Sequence, residues 1–322
     1  MAISETLASL NKIFGNNTLM AMGDKPNTGL SVIPTSCAVL DDIIGVGGFP
    51  RGRIIELVGD ASAGKSTICL HVIAEAQKMG LNCVIFDTEN AMDVEYARNL
   101  GVDVDKLIIC QVSEAETALE IATKLAESGD IGLIIIDSIA GLVGKEELSG
   151  TMENQQMGLI PRILNKYLRK NTEILARNNI TLVLTNQLRE KIGQSYGEKT
   201  QGTGGRGVKH YASVRIKVIR LETEKDKSTG EKTGALTKAI VAKNKVCVPF
   251  RECTFSIEFG TGIDNVGSII DSAVDKKIIE KSGSWYSYNS SRLGQGKANS
   301  KDFLKSNPQL LAEITQKLKE TN

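Results

Sequence analysis

No stretch of this 322-residue chain approaches the roughly 18 uninterrupted apolar residues of a membrane span, so none is expected. The N-terminus has no basic segment followed by an apolar one, which argues against a secretory leader and for a cytoplasmic protein. Six cysteines (37, 69, 83, 110, 247 and 253) show no CxxC spacing; Cys69, Cys83 and Cys110 stand in apolar contexts and read as reduced core thiols. An excess of one charge is missing too: the net charge is +1, which by itself says nothing about nucleic acid. No internal repeat and no low-complexity tail is visible.

What is present is an apolar content of 41%, enough for a large core domain with one or two small appendages. The charge is unevenly spread. Residues 1–184 hold 15 Lys/Arg against 23 Asp/Glu, residues 185–245 hold 14 against 6, and residues 268–322 hold 9 against 6. A basic segment following an acidic half is an electrostatic footprint for phosphate backbones, with a solvated charged face as the plain alternative.

Along the chain, Ile3, Leu7, Leu10 and Phe14 recur at helical spacing, and a TLMAM strand candidate follows. This arm is too small to bury its own apolar face and is expected to pack on the core or on another subunit. From residue 54 strands and helices alternate: strands over 54–58, 83–87, 107–110, 132–137 and 181–186, helices over 65–79, 93–100, 114–128 and 158–178. That pattern predicts an α/β fold with a doubly wound core. Strand-like runs at 214–221, 236–246 and 254–259 come next, with 222–234 as the turn between the first two. A last unit carries a helix over 266–280, an aromatic hairpin with Trp285, Tyr286 and Tyr288, and amphipathic helices around 300–306 and 308–319. Residues 144–157 and 188–207 are long, polar and glycine-rich, and each follows a strand that carries candidate site residues; such loops are usually functional or disordered.

Four apolar strands end in residues suited to a nucleotide: 54–58 into Gly59-Asp60-Ala61-Ser62-Ala63-Gly64-Lys65-Ser66, 83–86 into Asp87-Thr88-Glu89, 133–136 into Asp137-Ser138, and 181–184 into Thr185-Asn186-Gln187. In open parallel sheets, ligands bind outside the carboxyl ends of the strands. Gly59 to Ser66 matches GxxxxGK[ST] between a strand and a helix. Its backbone N–H groups can wrap phosphate oxygens, Lys65 can reach the β- and γ-phosphates, Ser66 can bind Mg²⁺, and Thr67 joins the cradle. Asp60 repels phosphate and is expected to point outward. Asp137 is placed as a Walker B carboxylate for Mg²⁺. Glu89 is the candidate to deprotonate the attacking water, with Asp87 competing. Gln187 reads either as a γ-phosphate contact or as an ordinary strand-end amide.

These residues, in this order, resemble the RecA family of recombination ATPases. The likeness extends to FDTENAMDVEYARNLGVDVDKL (86–107), IIIDSIAGLVGKEELSG (134–150), MGLIPRILNKYLRK (157–170), TNQLREKIG (185–193), TGGRGVKHYASVR (203–215), VAKNKVCVPF (241–250) and EKSGSWYSYNSSRLGQGKAN (280–299), covering roughly residues 5–320. The resemblance implies a P-loop ATPase core of this type at 34–267, an N-terminal helix-strand oligomerisation arm at 1–33 and a small C-terminal α+β domain at 268–322. It makes Glu89 the catalytic glutamate, Asp93 and Tyr96 the adenine contacts, and Gln187 the γ-phosphate reader. Lys243 and Lys245 then reach the ATP of the neighbouring subunit; without the resemblance they read as exposed cations on a strand.

The same resemblance makes 144–157 and 188–207 the DNA-binding loops. Met157 and Ile192 match wedges between bases, and Gly158, Arg162, Arg169, Arg189, Gly204 and Gly205 match DNA-contacting positions; cations, backbone N–H groups and apolar wedges suit sequence-independent single-strand binding. The implied activity is a DNA-dependent ATPase, with ATP and Mg²⁺, that forms helical filaments on single-stranded DNA and exchanges strands with double-stranded DNA; a LexA-type repressor is left open as a further partner. The arm would dock on the next subunit head to tail, which grows open filaments. Departures are His210 in place of a Phe, Arg206 in place of an Asn, which adds a phosphate-directed charge, Tyr196 in place of a Phe, and Pro161 in the first turn after the first loop; the acidic tail many family members carry is expected to be lacking. A ring-forming P-loop DNA translocase and a non-catalytic paralogue are the alternative readings.

Overall fold

The structure, a computed structural model, describes residues 3–15, 19, 29–150, 158–190, 200–225 and 229–321, apart from the side chains of 189, 190, 200 and 201. Residues 1–31 and 32–322 form two units. In the first, α1 (Ile3–Phe14) buries none of its residues. Its end is tied to Leu19 by the Asn11 amide, which donates to the Leu19 carbonyl at 2.7 Å and accepts from the Leu19 N–H at 2.8 Å. The rest of the expected TLMAM strand lies outside the described residues.

In the second unit, β1 (Val32–Ile33) and β2 (Phe49–Pro50) bracket α2 (Ala38–Ile44). The core then alternates: β3 (Ile54–Gly59), α3 (Lys65–Lys78), β4 (Asn82–Asp87), α4 (Val94–Asn99), β5 (Ile108–Cys110), α5 (Ala115–Ser128), β6 (Ile131–Asp137), α6 (Lys145–Ser149), α7 (Leu159–Arg177) and β7 (Thr181–Glu190). There follow β8 (Thr200–Gly202), α8 (Gly205–Tyr211), β9 (Val214–Lys225), β10 (Lys232–Asn244), β11 (Glu252–Glu258) and β12 (Gly262–Ile263). The chain closes with α9 (Asn265–Asp275), β13 (Glu280–Ser282), β14 (Trp285–Tyr288), β15 (Ser291–Gln295), α10 (Gly296–Lys305) and α11 (Pro308–Glu320).

The central sheet runs β12-β11-β10-β9-β3-β7-β6-β4-β5, with β8 paired to β7. Pairing is parallel from β9 through β5 and antiparallel from β9 through β12. Helices cover both faces, so β3 and β6 read as near-continuous apolar runs rather than as alternation. Val183 of β7 packs with Ile68, Leu70 and Ile73 of α3, while Leu182 and Leu184 pack with Leu119 of α5, Leu164 and Leu168 of α7 and Val208 of α8. Successive strand residues face opposite ways, so β7 sends Gln187 toward the α3 face and Asn186 toward the α7/α8 face. A separate apolar cluster (Ile269, Ile270, Ile279, Tyr286, Leu293, Leu304, Ile314) sits within the last 58 residues, and all six cysteines are free thiols.

The structure shortens two expected irregular stretches and one expected helix. Strands β9 and β10 extend to Lys225 and from Lys232, so the 222–234 connection is largely ladder, held by pairs such as Thr223 with Ala235. Within 188–207, β7 continues to Glu190, β8 pairs back onto it, and α8 begins at Gly205. The helix expected over 266–280 stops at Asp275: Lys277 turns into positive φ (57°), and the N–H groups of Ile278 and Ile279 fold back onto the Ala273 carbonyl, which buries Ile279.

Two buried groups tie outlying segments to the core. His71 of α3 is 8% exposed, and its Nε2 accepts from the Ile263 N–H of β12 at 3.0 Å. Burial lowers its pKa from 6.5 to about 4. Asp41 of α2 accepts from the Thr35 N–H and hydroxyl, and burial raises its pKa to about 7. The unfolded chain protonates His71 first, so its share of stability falls as pH drops from 6.5 to about 4, by about 3 kcal/mol in all. Asp41 has the opposite sign, since its share falls as pH rises from 3.8 to about 7. Comparing wild type with His71→Gln cancels the Asp41 contribution. The stability gap measured by urea unfolding is expected to move in favour of the variant across the pH 6.5 to 4 window; a constant gap would show that His71 does not titrate there.

Candidate nucleotide site and DNA-facing elements

Register brings the four strand ends together. Gly59 of β3 lies opposite Gln187 of β7, and Asp87 of β4 opposite Asp137 of β6. Between β3 and α3, Gly64 adopts φ 97°, and a Cβ there would collide with Ile257 of β11. Glycine is therefore required where the loop turns into the helix. Gly64, the N-cap residue, has no side chain with which to cap α3, which leaves the helix's first N–H groups directed at the loop mouth, where an anion is favoured. Lys65 is 7% exposed, and its ammonium donates to the carbonyls of Gly59 (3.0 Å) and Asp60 (2.7 Å). Burial lowers its pKa, against the pull of Asp137, Asp60 and Glu89. Asp60, Ala61, Ser62 and Ser66 are exposed, whereas Ala63 and Thr67 are buried.

Two adjoining cavities flank this loop. One, of about 120 Å³, is lined by Ser66, Asp87, Glu89, Asp93, Tyr96 and Asp137 among others. The second, of about 250 Å³, is lined by residues 62–67 with Tyr96, Thr237, Ile257 and Phe259. Tyr96 borders both, and its hydroxyl is 3.1 Å from that of Thr67. Asp93 caps α4 by accepting from the Tyr96 N–H at 3.0 Å, which sets the tyrosine's position.

The carboxylates divide by their partners. Asp87 is 4% exposed and accepts from the N–H groups of Ala91 (3.2 Å) and Met92 (3.1 Å), so it organises the turn after β4. Glu89 is exposed; its Oε1 accepts from the Ser138 hydroxyl (2.6 Å) and the Gln187 amide (3.1 Å), and among the described residues no such bond engages Oε2. Asp137 Oδ1 accepts from the Thr185 hydroxyl at 2.6 Å. Among the described residues no cluster of three His, Cys, Asp or Glu side chains could hold a metal by itself. Ser66 and Asp137 do line one cavity as hard oxygen donors, a set that suits a magnesium ion carrying a phosphate and waters.

Lys243 and Lys245 are not at this site. Lys243 is in register with Arg215, and Arg215 with Glu56 of β3, three residues before Gly59, or about 10 Å along the strand. The N–H of Lys245 donates to the Ser213 carbonyl, two residues further from the loop. The Lys243 ammonium donates to the carbonyls of Lys209 (2.7 Å) and His210 (2.8 Å) and so closes the C-terminus of α8. Burial and Lys245 lower the pKa of Lys243.

On the opposite face the beginnings of α7 and α8 converge. Gly158 caps α7 with φ 80°, and a Cβ on Gly205 would press on Pro161 in the first turn of α7. Arg162 and Arg206 are exposed in these first turns, Gly204 is buried beside Ile139, and Arg169 is exposed two turns further along α7. Met157, Ile192 and Tyr196, and the side chain of Arg189, lie outside the described residues.

Some functional groups were not singled out beforehand. Ser138 and Thr185 stand beside chosen residues in the same strand-end runs. Glu56 is a lone acid inside IIELV, a visible signal. Thr237, Ile257 and Phe259 come from strands β10 and β11 and the turn after them, and carry no local pattern that points at a P-loop.

Fold and site together define a P-loop nucleotide-binding protein with a parallel core sheet and basic helix starts on the face opposite the P-loop helix. The family model for the RecA N-terminal domain matches residues 1–264, and that for the RecA C-terminal domain matches residues 267–322. Protein RecA of Ruminococcus albus is 47% identical over 318 residues, covering 99% of this chain and 79% of that protein. The relatives from Streptomyces avermitilis (45% identical, 99% and 84% covered) and Frankia alni (46%, 99% and 92%) are similar. A crystal structure of the RadB recombinase superposes with a TM-score of 0.55 at 20% identity, over 72% of this chain and 98% of that one, a likeness of fold. The chain belongs to the RecA family. It is a DNA-dependent ATPase and strand-exchange recombinase of homologous recombination and DNA repair, and it binds nucleotide and DNA and forms filaments. No comparison favours a ring-forming translocase or a non-catalytic paralogue. Among the described residues no helix is long and apolar enough to cross a membrane.

Proposed function

We propose that the nucleotide is ATP with Mg²⁺, and that each site is completed by the next subunit of a helical filament. The convergence of Lys65, Asp137, Glu89 and Gln187 at adjoining strand ends carries this reading. Residues Gly59 to Thr67 hold the phosphates, with Ser66 and Asp137 as the magnesium ligands; the ion supplies charge neutralisation on the phosphates. Asp93 and Tyr96 position the base, which fits the cavity closed by Phe259. Glu89 takes the proton of the attacking water on Oε2, since Ser138 and Gln187 hold Oε1. Gln187 touches both this base and the γ-phosphate position. Because Lys243 and Lys245 stand away from their own P-loop, they act on the neighbour's phosphates as an arginine finger does.

In this reading residues 1–33 form the arm that docks on the next subunit, 34–267 the ATPase core, and 268–322 a C-terminal domain. The exposed apolar side chains Ile3, Ile13 and Phe14 support an intermolecular role for the arm. Segments 144–157 and 188–207 grip single-stranded DNA and then admit the duplex. Gly158, Arg162, Arg169, Arg189, Gly204, Gly205 and Arg206 serve its phosphates, and Met157 and Ile192 serve as wedges. We place the protein in the cytoplasm; a LexA-type repressor is a further partner suggested by the family, with no described surface assigned to it.

A joint ATPase and D-loop assay tests the function: turnover must rise with single-stranded DNA and joints must form, and turnover independent of DNA would contradict it. Arg169→Ala is expected to weaken single-strand binding and to reduce the slope of log affinity against log salt by about 0.7, the share of one phosphate contact. An unchanged slope in fluorescence anisotropy titrations would remove Arg169 from the DNA surface.

A further inference from the structure

Behind the nucleotide site, on the α7/α8 face, lies a buried polar cluster that no step above uses. Glu56, in the middle of β3, is 1% exposed. Its Oε1 accepts from Asn186 Nδ2 at 2.8 Å, and its Oε2 from Arg215 Nε at 2.8 Å. Asn186 is 1% exposed, and its Oδ1 accepts from the Thr203 N–H at 2.9 Å. The amide's orientation is fixed by chemistry: a carboxylate only accepts and a backbone N–H only donates, so flipping the amide would leave both contacts repulsive. The backbone of Gly202 passes so close that a Cβ there would collide with the Asn186 amide.

One side chain thus joins three elements: β3, which leads into the P-loop; β7, whose next residue is Gln187; and the stem that returns from the 188–207 segment. We infer that Asn186, oriented by Glu56, is the positioning residue that fixes this stem to the Gln187 strand and so passes nucleotide state to the DNA-facing segment. The inference rests on the reading of Gln187 and of 188–207 given above. A buried ion pair is seldom retained for net stability, because apolar residues of the same volume do as well. What an apolar pair cannot supply is a directional acceptor for Asn186. Gln187 and Asn186 point to opposite faces of one strand, so a shift of the β7 end at the γ-phosphate position moves the Thr203 anchor with it. From that anchor α8 runs as a rod to Lys243, which closes its far end.

The test uses the full-length protein. Asn186→Ala and Asn186→Asp are compared with wild type for affinity for a fluorescent ATP analogue, DNA-independent ATPase, and the ratio of single-strand affinity with ATP to that with ADP. The first two are expected to stay within about twofold and the ratio to fall at least about fivefold, the range of ordinary coupling energies. The double variant with Gln187→Ala is expected to lose no more of the ratio than Gln187→Ala alone, since both act on one path. A folded Asn186 variant with an unchanged ratio, or losses that multiply in the double variant, would overturn the inference. If neither variant folds, Asn186 is purely structural and the inference also falls. A wild type with no ATP-over-ADP gain would instead refute the underlying reading of the loop and of Gln187.

Discussion

Lys65→Ala is expected to abolish nucleotide turnover, with phosphate release falling at least about 10²- to 10³-fold, as when a single preorganised charge donor is removed from a transition state. The size of the effect follows from where the ammonium sits. It is buried at the mouth of the P-loop, held by the carbonyls of Gly59 and Asp60, with Asp137 and Glu89 near enough to influence its titration. A phosphate entering that mouth meets this one buried cation and the open N–H groups at the start of α3. Alanine removes the charge and leaves the loop's glycines in place, so the melting temperature is expected to change little. A variant hydrolysing within a few-fold of wild type would place the phosphates elsewhere.

Glu89→Gln separates binding from chemistry. The amide keeps the volume and can still accept from Ser138 and Gln187 on one oxygen, but it cannot take a proton from water. Nucleotide affinity is expected to persist while turnover falls about 10²- to 10⁴-fold, the usual worth of a general base. With hydrolysis blocked, the ATP-bound filament is expected to dissociate from single-stranded DNA far more slowly than wild type, which a competitor-strand chase measures. Hydrolysis at the wild-type rate would transfer the role of base away from Glu89. Asp87 would be a poor replacement, because its oxygens are engaged by the N–H groups of Ala91 and Met92.

Much of this was legible from the sequence, and the physical reasons are specific. The strands β3, β4, β6 and β7 announce themselves because helices bury both of their faces, leaving uninterrupted apolar runs that stop where polar site residues begin. The choice between Asp87 and Glu89 was not legible from the residues alone, since it depends on which carboxylate the following turn's N–H groups engage. Phe259 and Ile257 were invisible because they reach the P-loop from distant strands through sheet pairing. The extension of β7 and the pairing of β8 were missed because a polar, glycine-rich run carries no period-two apolar signal. Glu56 was visible as an acid inside an apolar strand, but only the fold pairs it with Asn186 and Arg215.

In the filament proposed above, each nucleotide site is divided between neighbouring subunits. Mixing Glu89→Gln with Lys243→Ala/Lys245→Ala tests it most directly, because the first variant keeps the lysines and the second keeps the P-loop and base. Each alone is expected to be inactive, and an equal mixture on single-stranded DNA is expected to recover about a quarter of the wild-type rate, the share of head-to-tail contacts that join two intact halves. A mixture as inactive as its components, though assembled into filaments, would contradict a shared site.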